Sequence, residues 1–246
     1  HRPLSSLSIP TDVISTRASL VDHGYRLVIG APVHIMDDEL AAELITFVRQ
    51  GGHLVLSVRS GFKDTHNALQ TQRQPALLQQ AAGMHVEEYY ALREPLDVTL
   101  SLGGDDLRGQ ARVWAEWLAP DEGTRVLGRF EAGNGWLDGQ AAVTMHYFGR
   151  GRVYYVGAWL DDELQAALVR WIAREAGVAP ALPGLPPEVR ATRRGDAYVL
   201  VNGSRERVSV SLPWPGVDHL TEIAGEDLVL GAYGVAVITG TKTQSA

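Results

Sequence analysis

Residues 25–67 limit the fold of this chain more than any other stretch. An apolar run, Arg26-Leu27-Val28-Ile29-Gly30-Ala31, is closed by Pro32 and reads as a strand buried on both faces. Asp37, Asp38 and Glu39 then place negative charge on the unpaired N–H groups that open a helix. Leu40, Leu44, Ile45 and Val48 fall on one face at helical spacing, and Gly51-Gly52 stops the helix. His53-Leu54-Val55-Leu56-Ser57-Val58 is a second buried strand. A strand–helix–strand unit of this length makes its two strands parallel, by a right-handed crossover. Sheets of this kind place their binding or interface loops beyond the carboxyl ends of the strands, which here means residues 59–67.

Read in order, residues 4–11 look like a helix end followed by a turn, and 12–15 like a short strand. An α/β domain with so abrupt a start is expected to lack its first strand and most of its first helix. Residues 74–83 read as helical. The runs 84–90, 97–102, 110–118, 125–130, 140–147 and 152–158 read as strands, with turns at Gly103-Gly104-Asp105-Asp106 and Gly149-Arg150-Gly151. Asp161-Asp162-Glu163-Leu164 opens a second long helix that runs through Leu168 and Trp171 to Gly177. The expected architecture over 1–178 is therefore α/β: a mostly parallel sheet flanked by helices, of the flavodoxin-like or class I glutamine amidotransferase-like kind. Five prolines or glycines crowd into 179–187, which reads as a linker. Short runs separated by Gly, Pro, Asn or Asp over 188–241 predict a small antiparallel β-sandwich, and 242–246 a polar tail.

Composition narrows the function classes. The 22 basic and 29 acidic side chains leave a formal charge of −7, which argues against nucleic acid or an anionic membrane as partner. No apolar run approaches the roughly 18 residues of a membrane span. The chain has no cysteine, which removes disulfides, thiolate metal sites and cysteine nucleophiles, and suits the reducing cytoplasm. The eight histidines show no ligand spacing, so neither metal nor cofactor is expected. The first residue is His1, not Met, and the chain reads as a fragment or a processed piece.

Several of these segments, in this order, resemble one family. They are Tyr-Arg-Leu-Val-Ile-Gly-Ala-Pro (25–32), Met-Asp-Asp-Glu-Leu (36–40), Phe-Val-Arg-Gln-Gly-Gly-His-Leu-Val-Leu (47–56) and Arg-Ser-Gly-Phe-Lys-Asp (59–64). Ala-Val-Thr-Met-His-Tyr-Phe-Gly-Arg-Gly-Arg-Val-Tyr-Tyr-Val-Gly (142–157) and Ala-Tyr-Gly-Val-Ala-Val-Ile (232–238) follow. Together they resemble the C-terminal half of β-galactosidases of glycoside hydrolase family 42. The resemblance implies a (β/α)8 barrel that carries the chemistry and is missing here, a trimerisation domain, and a small terminal β domain. The implied partners are two further copies of the chain, in a homotrimer, and galactosides held by the absent barrel. The family's two catalytic glutamates lie on that barrel, so no residue of this sequence inherits a catalytic role.

The residues agree. A retaining glycosidase needs two carboxyl groups about 5–5.5 Å apart. The clustered acids 37–39 and 161–163 read as helix starts and 105–106 as a turn, while Glu87 and Glu88 point to opposite faces of a strand. The best functional candidate is the loop Arg59, Ser60, Gly61, Phe62, Lys63 and Asp64, as a pocket wall or a subunit contact in the intact enzyme. Its bland reading is a solvated loop tied by an Arg59–Asp64 or Lys63–Asp64 pair. Among the tryptophans, Trp171 reads as core, Trp114 and Trp117 face opposite sides of one strand, and Trp136 is the most loop-like. Trp136 is therefore the candidate for sugar stacking or an interface. Two other functions compete with an assembly region. A carbohydrate-binding module would use the sandwich or an exposed Trp. An amidotransferase-like enzyme would need a cysteine at a strand–helix elbow, and neither that nor a Gly-x-Ser-x-Gly elbow is present.

Overall fold

The computed structural model describes residues 2–30 and 32–240, so the tail expected over 242–246 lies outside the described residues. Two compact units result: 14–177, and 1–13 together with 178–246. A short helix, α1 (Arg2–Ser6), begins the second of these. No strand forms over 12–15, where Val13 is 89% exposed.

In the larger unit, the described residues form a nine-stranded sheet. Its strands are β1 (Leu27–Gly30), β2 (His53–Ser57), β3 (Met84–Ala91), β4 (Leu96–Leu102), β5 (Asp105–Pro120), β6 (Arg125–Phe130), β7 (Ala141–Phe148), β8 (Gly151–Val156) and β9 (Ala158–Leu160). The order is β1-β2-β8-β7-β6-β4-β5-β3, with β9 against β5. Only β1, β2 and β8 run parallel, in the register Leu27↔His53 and His53↔Arg152. All other pairings are antiparallel. The expected flavodoxin-like, mostly parallel sheet is thus incorrect. Parallel neighbours need a crossover of a dozen or more residues, whereas hairpin turns make neighbours antiparallel. Between Met84 and Val156 the chain supplies strand after strand joined by turns such as Gly103-Gly104 and Gly149-Arg150, with no long helix to carry a crossover.

Helices cover the parallel strands on both faces. α2 (Asp38–Arg49) is capped by Asp37, whose carboxylate accepts from Leu40 N at 2.9 Å. It buries Leu40, Leu44, Phe47 and Val48 against Leu54 and Leu56 of β2 and Val153 and Tyr155 of β8. A short helix, α3 (Gln79–Ala82), adds Ala81 and Ala82 to that side. α4 (Asp162–Glu175), capped by Asp161, buries Leu164, Leu168, Trp171 and Ile172 with Val55, Tyr154 and Val156. Successive residues of β2 and β8 thus alternate between two cores, as the period of a strand requires. β1 is the edge strand, with Ile29 36% exposed, so the expectation that both its faces are buried does not hold. The long β5 pairs β4 along its first half and β3 along its second. Its alternation breaks at Val113, a β-branched residue at φ +67°, so Ala115 and Glu116 are both buried.

The smaller unit carries one antiparallel sheet of β10 (Val189–Arg194), β11 (Ala197–Asn202), β12 (Val208–Asp218), β13 (Ile223–Leu230) and β14 (Val235–Gly240). The order is β10-β11-β14-β12-β13, a single sheet where two packed sheets were expected. β12 changes register between Ser211 and Gly216, so its second half reaches both β13 and β14. The core joins residues from the first strand to the last, including Val189, Leu200, Val210, Leu230 and Ile238. Leu182 of the proline-rich stretch is buried in that core, and Ala181 N donates to Ser8 O at 2.8 Å.

Candidate functional site

β2 is the middle strand of the parallel three, and the chain turns as it leaves the carboxyl end. Ser60 Oγ donates to Ser57 O at 2.7 Å and accepts from Ser57 N at 3.2 Å, which closes the turn and buries Ser60 completely. Arg59, within the turn, sits at φ +64°, a backbone region that costs a non-glycine residue free energy. Gly61 follows at φ +65°, and a Cβ there would lie 2.7 Å from Pro75 O. Gly61 N donates to Val33 O (2.9 Å), Lys63 N to His34 O (3.0 Å), and Met36 N to Lys63 O (3.0 Å). The loop after β2 is therefore stitched to the segment after β1.

The structure separates the candidate residues by role. Arg59 and Phe62 are brought together, with the guanidinium carbon 4.9 Å from the ring centroid of Phe62 and 4.9 Å from that of Trp114. Lys63 Nζ donates to Asn67 Oδ1 at 2.8 Å. Asp64 Oδ1 accepts from His66 N and Ala68 N, both at 2.9 Å, an Asx turn that shapes the loop tip. Asp64 is thus occupied by backbone, not by Arg59 or Lys63. Trp136 lies elsewhere, 60% exposed and edge-on to Tyr90 with centroids 4.0 Å apart. Tyr89, the residue before, instead stacks on Trp114 (5.4 Å) and meets Phe62 edge-on (5.5 Å). Neighbours on a strand face opposite sides, so Trp136 and Arg59 occupy different faces of β3.

Four participants escape a reading of the sequence: Glu116, Tyr155, Tyr89 and His34. Glu116 is 1% exposed and takes three donors: Arg59 N (2.8 Å), Trp114 Nε1 (3.1 Å) and Tyr155 Oη (2.8 Å). Burial pushes its carboxyl upward, against the pull of those hydrogen bonds and of the Arg59 charge. Burial and the neighbouring Glu116 likewise push the Tyr155 hydroxyl well up. His34 stacks on Phe62 at 5.2 Å, and partial burial followed by the Arg59 charge lowers its pKa. The sequence does hold one sign of Glu116, a lone acid between Trp114 and Trp117 in a strand. The partners that give it meaning are far away in the chain.

Chemically, the site contains a cation held against aromatic rings, and its two carboxylates, Glu116 and Asp64, already accept hydrogen bonds from three donors and from two, respectively. Among the described residues no group of three His, Cys, Asp or Glu is placed to hold a metal ion, and no helix is long and apolar enough to cross a membrane.

Comparison with known proteins follows the same line. The family described as β-galactosidase trimerisation domain matches residues 1–179. Beta-galactosidase Bga of Halorubrum lacusprofundi is 30% identical over 94% of this chain, and Beta-galactosidase BglY of Alicyclobacillus acidocaldarius 32% identical over 97%. This chain spans 36% of the length of each. Among solved structures, the β-galactosidase of Rahnella sp. R3 superimposes with a TM-score of 0.86 at 26% identity, over 97% of this chain and 35% of that one. The H. lacusprofundi enzyme gives 0.82 at 29% identity, over 97% and 34%.

Proposed function

This chain belongs to the β-galactosidase trimerisation-domain family, and from that premise we propose that it is the assembly region of a β-galactosidase. In this reading it holds three subunits together in the cytoplasm. A (β/α)8 barrel in the longer protein would hydrolyse terminal β-D-galactosides with retention. The observation that carries the reading is the family match over residues 1–179. The chemistry of the site supports it, since the aromatic and cationic surface beyond β2 offers contact, while its two carboxylates, Glu116 and Asp64, are both engaged by hydrogen-bond donors. The test is the solution mass of the 26.7 kDa chain by light scattering across a dilution series. A species near three chain masses is expected, and a monomer at every concentration would sink the reading for this chain.

Within that role, the loop of Arg59, Ser60, Phe62, Lys63 and Asp64 forms a subunit contact or the wall of a neighbouring pocket. Replacing Arg59, Lys63 and Asp64 by Ala in the longer enzyme should weaken assembly or alter kinetics. Unchanged behaviour in both would remove the loop from the proposal.

A second reading, carbohydrate binding, is favoured by one specific observation: Trp136 and Trp159 are 60% and 54% exposed. Titration with lactose should then quench tryptophan fluorescence at millimolar sugar, with the effect lost in Trp136→Ala or Trp159→Ala. No quenching at tens of millimolar would dismiss it.

A further inference from the structure

Arg59 is the least settled polar residue of the larger unit. Its Nε is buried and no acceptor among the described residues reaches it. Two other buried atoms share that state, Tyr90 Oη and Thr144 Oγ1, but both are neutral hydroxyls. The obvious acid, Glu116, is spent on the Arg59 backbone N–H, Trp114 and Tyr155. No ion pair among the described residues includes Arg59. A buried donor without an acceptor is costly, and so is a non-glycine residue at positive φ. Both costs fall on one residue, at the carboxyl edge of the parallel strands. The rings of Phe62 and Trp114 keep the guanidinium in one place, so little freedom is lost when an acceptor arrives.

The surroundings select the acceptor. Nε itself is out of a partner's reach, but Arg59 as a whole is only half-buried, and the terminal nitrogens of a planar guanidinium match a carboxylate with two parallel hydrogen bonds. Tyr89 is exposed beside the cation, and Ile35 and Leu69, which flank Lys63 through isolated bridges, are exposed along the same loop. An apolar rim around a fixed Arg suits a polypeptide better than a free anion, and Arg, Trp and Tyr are the residues that dominate protein interfaces. The chain has 29 acidic against 22 basic side chains, so another copy of it offers carboxylates in excess. In a cyclic trimer the contact is head-to-tail, so the matching acid lies on a different face from Arg59.

We propose that Arg59 anchors the contact between copies of this chain, its guanidinium receiving a carboxylate of a second copy while Phe62, Tyr89 and Trp114 form the apolar seat. This rests on the assembly reading above. The test compares wild type, Arg59→Ala, Arg59→Lys and Lys63→Ala by light scattering over a dilution series, with thermal unfolding as a check on folding. Arg59→Ala should raise the dissociation concentration at least about ten-fold. Arg59→Lys, which keeps the charge and the packing stem but not the fork, should raise it several-fold. Lys63→Ala, whose amine already bonds to Asn67, should change it less than about three-fold. If Arg59→Ala does not fold, Arg59→Lys decides alone. Trimers that form equally well in folded Arg59→Ala or Arg59→Lys overturn the anchor and leave the assembly reading standing. A monomeric wild type overturns both.

Discussion

Two buried carboxylates, one in each unit, show what a buried acid can be for. Asp218, at the end of β12, accepts from Leu220 N (3.1 Å), Val237 N (3.0 Å) and Thr221 Oγ1 (2.7 Å). Glu116, in the middle of β5, also accepts from three donors. Yet their pKa values move in opposite directions. Burial works upward on both, but the hydrogen bonds win at Asp218 and its pKa falls, while burial wins at Glu116 and its pKa rises. The neighbours explain the difference. Asp218 is followed by an exposed turn at Leu220 and Thr221, whereas Glu116 follows the fully buried Ala115 and bonds the fully buried Tyr155. Asp218 closes a local turn and ties it to the neighbouring strand β14 through Val237 N. Glu116 joins three elements distant in sequence: the end of β2, β5 and β8. The smaller unit repeats its own style at Asn202, whose amide meets Glu206 O and Gly231 O while its carbonyl accepts Ser204 N and Oγ, all within 2.9 Å. Among the described residues of that unit, no buried side-chain polar atom lacks a hydrogen-bond partner. Only the larger unit keeps, among the described residues, a buried charged donor without an acceptor, Arg59 Nε.

The sharpest way to break this contrast is Glu116→Ala. It would strand the Arg59 N–H, the Trp114 indole and the Tyr155 hydroxyl together, at about 1–3 kcal/mol for each buried group left unpaired. The larger unit should lose about 3–5 kcal/mol in urea unfolding, close to the whole stability of many domains. Glu116→Gln keeps an acceptor for two of the donors and should cost about 1 kcal/mol or less near neutral pH. A loss under 1 kcal/mol for the Ala variant would reduce Glu116 to a bystander. Next in size is Asn202→Ala, which removes four hydrogen bonds, three within the 202–206 loop and one to Gly231 O. About 2–3 kcal/mol is expected in the unfolding of the smaller unit, read from the fluorescence of Trp214. A Trp214 transition as stable as that of wild type would show that the staple is dispensable.

The same contrast explains how far the sequence could be read. The β1-α2-β2 unit was legible because its signals are local: an apolar run, acids at 37–39 that cap a helix, and Gly51-Gly52 to end it. The strands between Met84 and Val156 were legible as strands, but their direction was not, and the short β9 was not foreseen. Period-two patterning reports which face a residue takes and says nothing about the neighbour's direction, and only the short turns at Gly103 and Gly149 hinted at antiparallel pairing. Arg59 and Phe62 could be singled out from their place beyond a strand. Glu116 could not, because its partners Arg59 and Tyr155 lie 57 and 39 residues away. The irregularity at Val113 also shifts the face on which Glu116 falls. Turn-closing residues are written beside what they close; joining residues are not.

The smallest effect is also the most discriminating, because it is one of sign. The pKa of Asp218 is lowered in the folded state, so its ionisation stabilises the fold above its ordinary value of 3.8, and that contribution is lost as pH falls through the folded value. Asp218→Asn should therefore cost about 1 kcal/mol at pH 7, with the gap to wild type closing as pH drops below about 4. Glu116 runs the other way. Its folded pKa lies above the ordinary 4.5, so wild-type stability declines as pH rises from that value through the folded one. Glu116→Gln escapes this penalty and should gain on wild type as pH climbs from about 4.5 toward 8. Urea unfolding of the three proteins from pH 3.5 to 8 gives two difference curves. Their slopes would reveal a turn-closing acid whose charge holds the fold and a joining acid whose charge strains it. If the two curves bend the same way, depth of enclosure does not separate these residues, and Glu116 is as locally satisfied as Asp218.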